Sequence, residues 1–137
     1  MNNRLQAKLS AIREHEQRYT EQMVEDARLV VAAYGTAGRI AQTAVKQARR
    51  EGMRVGLFRP ISLWPFPERR LSRLADRVDA FLVVEMNAGQ MLDDVRLAAG
   101  GQVPVDFYGR TGGVVPVPEE IYQAIEGLYA KLPGSLS

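Results

Sequence analysis

Residues Leu29–Tyr34 read LVVAAY, an unbroken apolar run with Arg28 before it and Gly35 after it. A strand with one wet face alternates apolar and polar side chains. A short run without alternation is the pattern of a strand covered on both faces, as in the middle of a parallel sheet. Working outward, the chain next offers Thr36 as an N-cap, then Ile40, Ala41, Ala44, Val45 and Ala48 at helical spacing, closed by Gly52. The same unit recurs. Met53–Phe58, Ala80–Val84 and Val103–Phe107 are predicted strands, and Pro67–Asp76, Met91–Ala98 and Pro118–Lys131 predicted helices. Leu71, Leu74 and Ala75 are inward positions of the first of those helices, Met91, Leu92, Val95 and Leu97 the apolar residues of the second, and Ile121, Ile125 and Leu128 the inner face of the third. Four strand–helix pairs joined by short connections predict an α/β fold with a parallel sheet between two helix layers.

Upstream of Leu29 the character differs. Residues 2–19 are strongly charged but carry Leu5, Leu9, Ile12 and Tyr19, with Met23 beyond, close to a spacing of three and four. That is the narrow stripe of an amphipathic helix that needs a surface to lie on. Thr20–Asp26 is polar and reads as a connector able to form a short edge strand. The expected organisation is residues 1–26 as N-terminal helix and connector and residues 27–137 as one α/β domain. A chain of this length builds one core but not comfortably two.

Composition removes several chemistries. With no Cys, the chain cannot hold an iron–sulfur cluster by thiolates, use a Cys nucleophile or build a Cys-type zinc site. Its one His, His15, stands among Arg13, Glu14, Glu16 and Arg18, where a solvated helix surface is the simpler role than base or ligand. No catalytic residue and no metal site is expected. Fifteen Arg and three Lys face 16 Asp and Glu, a formal net charge of +2. The densest group, Arg69, Arg70, Arg73 and Arg77, shares one side of a predicted helix without interleaved aromatics, so a solvated face is expected rather than a nucleic-acid partner. No apolar run approaches the ~18 residues of a membrane span, and the N-terminus carries no apolar signal segment. A cytoplasmic protein with no membrane partner is expected.

In an open α/β sheet the carboxyl ends of the parallel strands share one edge, where ligands and partners meet the fold. Four loops leave the predicted strands there: Tyr34–Gly38 (YGTAG), Arg59–Pro67 (RPISLWPFP), Glu85–Gln90 (EMNAGQ) and Tyr108–Gly113 (YGRTGG). The first could seat an anion at a helix N-terminus, but it lacks both the dinucleotide-binding glycine pattern and the P-loop lysine. A capped helix start is the simpler reading. In the second loop three prolines stiffen the backbone, and Trp64 and Phe66 are either interface anchors or caps on the core. Arg59 stands where a dinucleotide fold places an acid. Glu85 ends an apolar strand and needs an ion pair or hydrogen bonds. Arg59 and Arg110 are the counter-charges available on neighbouring loops, so a structural ion pair joining the loops stands beside a ligand role. Asn87 and Gln90 suit a loop network or an interface, and Arg110 can make two-pronged contacts. Arg59, Trp64, Glu85, Asn87, Gln90 and Arg110 are the candidates for an interface or loop network.

Read together, VAAYGTAGRIA (31–41), GLFRPISLWPFP (56–67), FLVVEMNAGQMLDDVRLA (81–98) and YGRTGG (108–113), with a Pro-Glu-Glu-Ile helix start at 118–121, resemble a known family. It is the C-terminal domain of the α subunit of 2-oxoacid:ferredoxin oxidoreductases, most like the 2-oxoisovalerate (branched-chain) type, with 2-oxoglutarate relatives close. The likeness covers essentially the whole chain. It implies a transketolase C-terminal-like fold, a three-layer α/β/α sandwich around a mostly parallel, five-stranded mixed sheet with one antiparallel strand. The fifth strand would come from Thr20–Asp26 or another edge segment. The resemblance also implies that the complete enzyme uses thiamine diphosphate and magnesium to decarboxylate a 2-oxoacid oxidatively. It would form an acyl-CoA with CoA as co-substrate and pass electrons through iron–sulfur clusters to ferredoxin. This chain has no Gly-Asp-Gly…Asn diphosphate motif and no cysteine, so none of those cofactors is expected on it, and the isolated chain is expected to be inactive. Its implied partners are the remaining domains or subunits of the oxidoreductase, and ferredoxin indirectly; a homo-oligomer is compatible with the N-terminal stripe. Two further readings stand beside this one: a stand-alone nucleotide- or phosphometabolite-binding module using YGTAG, and a dimerisation domain built on the N-terminal stripe and the Trp64–Phe66 loop.

Overall fold

Leu29–Ala33 is the middle strand of a five-stranded sheet, and every residue of it is buried. The computed structural model describes residues 19–61, 67–85, 90–109 and 117–132. Its elements are β1 (Tyr19–Gln22), β2 (Leu29–Ala33), α1 (Thr36–Arg50), β3 (Val55–Pro60) and α2 (Glu68–Ala75). They continue with β4 (Ala80–Glu85), α3 (Gln90–Ala99), β5 (Val105–Gly109) and α4 (Pro118–Tyr129). The strand order is β1-β3-β2-β4-β5, parallel throughout except for β1, which runs antiparallel to β3.

Alternation along the strands sends side chains to two separate cores. Leu29, Val31, Ala33, Leu57, Leu82 and Val84 pack under α1 and α4, against Ala41, Ala44, Ala48, Ile121 and Ile125. Val30, Ala32, Phe58, Phe81 and Val83 pack under α2 and α3, against Leu71, Leu74, Met91 and Val95. The buried face of α1 is alanines, one valine and Gly38, which let the helix lie close to the sheet. This is the three-layer α/β/α arrangement read from the run at Leu29.

Two local expectations are corrected. Thr36 does not cap α1: Gly35 is the N-cap, with φ 64° and ψ −135°, a conformation open to glycine and closed to most side chains. The first turn of the helix has no side-chain cap. The last strand begins at Val105, two residues later than expected. Pro104 has no N–H to enter the ladder, although its carbonyl accepts from Phe81 N at 3.0 Å. The fifth strand is β1, supplied by the Thr20–Asp26 segment as expected, except that it starts one residue earlier, at Tyr19, which the helical stripe had included. The helix expected over residues 2–19 otherwise lies outside the described residues.

Two of the four clustered arginines hold β1 and its following turn. Arg70 grips both carboxylate oxygens of Glu21, at 2.5 and 3.0 Å, which raises the Arg70 pKa through that hydrogen bond. Arg77 donates to the Glu25 carbonyl at 2.6 Å. Tyr19 stacks on Phe58 with centroids 5.1 Å apart.

Candidate functional site

The register brings the ends of the strands to one edge. Ala32 pairs with Phe58 and Ala33 with Val84, Glu85 lies opposite Gly109, and Thr20 of the reversed strand lies opposite Arg59. Arg59, Glu85 and the first residue of α3, Gln90, therefore belong to one side of the molecule. Trp64, Asn87 and Arg110 lie outside the described residues, and of Gln90 only the backbone is described.

Glu85 is 6% exposed and, of the two means of satisfying it that the sequence offered, shows hydrogen bonds among the described residues. Its Oε1 accepts the Met91 backbone N–H at 2.7 Å, and its Oε2 lies 3.4 Å from the Leu92 N–H. Both amides belong to the first turn of α3, where backbone donors lack helical partners and the helix dipole favours a carboxylate. Glu85 is thus a cap reaching across the loop from β4 to α3. Beside it, a methyl group on Gly109 would come within 2.8 Å of the Glu85 carbonyl oxygen and would overlap the Phe107 ring, so the two strand ends close tightly.

Arg59 is the opposite case. It is partly buried and makes no ion pair or side-chain hydrogen bond among the described residues. Its stem crosses the first turn of α1 at Gly38, where any Cβ would overlap Nε. A cavity of about 390 Å3 opens beside it, lined by Thr20, Tyr34, Gly35, Arg59, Pro60 and Ile61. Tyr34 and Ile61 remain 40% and 54% exposed on its rim. A second hollow, about 490 Å3, lies near Val103, Pro104, Leu128 and Leu132; its Asp79 is engaged by Arg28 at 2.8 Å. Neither the cavity nor the Glu85 cap was legible as such, because both depend on backbone amides and on a missing Cβ rather than on a residue pattern.

The described residues include no group of three His, Cys, Asp or Glu side chains able to hold a metal ion, and no helix among them is long and apolar enough to cross a membrane.

A mixed sheet with one antiparallel edge strand between two helix layers is a three-layer α/β/α fold, the class to which the transketolase C-terminal-like fold belongs. The model of the family described as pyruvate:ferredoxin oxidoreductase core domain II matches residues 27–121, and the chain belongs to that family. It is 48% identical over 109 residues to the ketoisovalerate oxidoreductase subunit VorB of Methanothermobacter marburgensis, covering 80% of this chain and 31% of the relative. It is 42% identical over 105 residues to the 2-oxoglutarate synthase subunit KorA of Methanothermobacter thermautotrophicus, covering 77% of this chain and 28% of that one. The chain thus spans under a third of the curated relatives it matches. Among solved structures, the 2-oxoglutarate:ferredoxin oxidoreductase of Magnetococcus marinus, with 2-oxoglutarate, coenzyme A and succinyl-CoA bound, shares the fold. Its TM-score is 0.74 at 20% identity, over 86% of this chain and 21% of that one. A split-gene transketolase, an inactive β4 tetramer, also shares it, with TM-score 0.69 at 18% identity over 82% of this chain and 41% of the other.

Proposed function

We propose that this chain is the assembly and positioning domain of a thiamine diphosphate-dependent 2-oxoacid:ferredoxin oxidoreductase of the 2-oxoisovalerate type, working in the cytoplasm. In this reading the complete enzyme decarboxylates the oxoacid oxidatively to an acyl-CoA and reduces ferredoxin. The edge carrying Arg59 and Glu85, with Trp64, Asn87, Gln90 and Arg110, packs against the enzyme's other domains or subunits.

The observation that carries the reading is the mismatch between family and donor set. The relatives are oxidoreductase subunits, yet this chain has no cysteine for an iron–sulfur cluster and no Gly-Asp-Gly…Asn motif for a magnesium-bound diphosphate. The one buried carboxylate among the described residues, Glu85, is occupied as a helix cap. These residues do not fit thiamine diphosphate, magnesium or a cluster, and no step of the reaction is derived through them. Those groups belong to the enzyme's other domains or subunits. The higher identity to VorB than to KorA favours a branched-chain oxoacid.

The test combines the full chain with the remaining subunits of the oxidoreductase and follows association by analytical ultracentrifugation, with a parallel calorimetric titration of the chain by thiamine diphosphate. The reading expects a stable complex and no heat of thiamine binding. Tight binding of thiamine diphosphate to this chain alone, or no association, overturns it.

A further inference from the structure

The groups at the carboxyl edge differ in how far their charge is satisfied. Glu85 is neutralised by the α3 amides and Glu21 by Arg70, whereas Arg59 has no acidic partner among the described residues. It is the sole charged residue among the described residues lining the 390 Å3 cavity. The loops at 62–66, 86–89 and 110–116, which follow the strands at this edge in sequence, read SLWPF, MNAG and RTGGVVP: they contain no Asp or Glu and add one more arginine, and the nearest acids in sequence ahead of β1 are Glu14 and Glu16. A partly buried guanidinium with no acidic partner among the described residues draws an anion, because its charge is only half hydrated where it lies.

The cavity also shows which kind of anion. Its other described lining residues are Thr20, Tyr34, Gly35, Pro60 and Ile61, of which the large apolar side chains Tyr34 and Ile61 are exposed. An inorganic anion would pair with Arg59 and leave that apolar rim wet. A polypeptide segment covers both at once, and the chain accounts for only 31% of a VorB relative, so most of such an enzyme is polypeptide outside it. Among the described residues the Arg59 side chain ties no two elements together by hydrogen bond; its stem lies on α1 where Gly38 has no side chain.

Resting on the function proposed above, we infer that the Arg59 cavity is a docking socket for the neighbouring polypeptide of the oxidoreductase. The segment it receives presents an Asp or Glu carboxylate to the Arg59 guanidinium and an apolar side chain to Tyr34 and Ile61. The carboxylate forms a two-pronged charge-assisted pair, which fixes orientation as well as contributing affinity.

The experiment measures dissociation constants of the full chain from the remaining subunits at ~50 mM and ~500 mM salt, for wild type, Arg59→Lys, Arg59→Gln, Arg59→Glu and, as a control just before the opposite end of β3, Arg54→Gln. Circular dichroism melts establish that each variant folds. Losing one partner of a desolvated ion pair weakens binding by ~10-fold or more, so Arg59→Gln binds at least that much more weakly at low salt. Arg59→Glu binds more weakly still, Arg59→Lys recovers part of the loss, and Arg54→Gln matches wild type. The gap between wild type and Arg59→Gln narrows at high salt. If Arg59→Glu assembles with wild-type affinity while wild type assembles normally, the socket is wrong and the assembly role stands. If wild type itself fails to associate, the assembly role falls and the socket with it. A melting-temperature rise with inorganic phosphate in wild type but not in Arg59→Gln, with assembly unaffected by the substitution, would make this a small-anion site and overturn the docking socket.

Discussion

Glu85 Oε1 accepts the Met91 backbone N–H at 2.7 Å, so the last residue of β4 caps the helix that follows it. Removing the carboxylate strands two first-turn amides in a buried setting. Glu85→Ala is expected to cost about 1–3 kcal/mol, the penalty of unsatisfied buried donors. Glu85→Gln keeps an acceptor but loses its charge and costs less than Glu85→Ala. Urea denaturation of the two variants at pH 7 checks this; midpoints equal to wild type would show that the cap contributes nothing.

Gly56 and Gly38 make a matched pair of backbone tests. A Cβ at Gly56 would meet the Met23 carbonyl oxygen at 2.8 Å and Val24 Cα at 2.9 Å, atoms of the turn that packs over β3. That backbone cannot yield cheaply, and Gly56→Ala is expected to destabilise by about 1–3 kcal/mol, the range for overpacking. A Cβ at Gly38 meets only the movable Arg59 side chain. Alanine is also the better helix former, by about 1 kcal/mol, so Gly38→Ala is expected to leave the melting temperature level or higher while displacing Arg59. Thermal melts separate the two, and equal losses would contradict the difference between backbone and side-chain contact.

Arg49 donates to both oxygens of Asp26, at 2.7 and 3.1 Å, and that hydrogen bond holds the Asp26 carboxyl below its ordinary value of 3.8. A folded-state pKa below the unfolded one adds stability that is present above the unfolded pKa and disappears as pH falls through the folded one. Asp26→Asn is therefore expected to be less stable than wild type at pH 7, with the two melting curves converging in strong acid. A gap that stays constant from pH 7 down to about pH 2 would show that the pair's ionisation is not its source.

The parts of this fold that announce themselves in the sequence are those fixed by side-chain burial. LVVAAY and AFLVV have no alternation because both of their faces are covered, and Ile121, Ile125 and Leu128 recur at helical spacing because one face of α4 is covered. The parts that stay hidden are those fixed by backbone chemistry. β1 reads YTEQ, with no buried residue to mark it, and is recruited to the edge by main-chain pairing with β3 and by the Glu21–Arg70 pair. Thr36 has the right side chain for a cap, but the turn needs the positive φ that Gly35 supplies. For Glu85 the residue pattern offered two arginines; the amides that bind it carry no residue identity at all. The same is true of the placing of Arg59, whose stem lies where a side chain on residue 38 would stand.

The central claim is that this domain docks and positions while the chemistry belongs to the rest of the oxidoreductase. The most direct measurement is oxoacid-dependent reduction of a viologen dye in the presence of thiamine diphosphate, magnesium and CoA, with the chain alone and with the remaining subunits added. The account predicts no reduction by the chain alone, and activity with the remaining subunits that falls when the chain is withheld. Turnover of a 2-oxoacid by this chain unaided would contradict it.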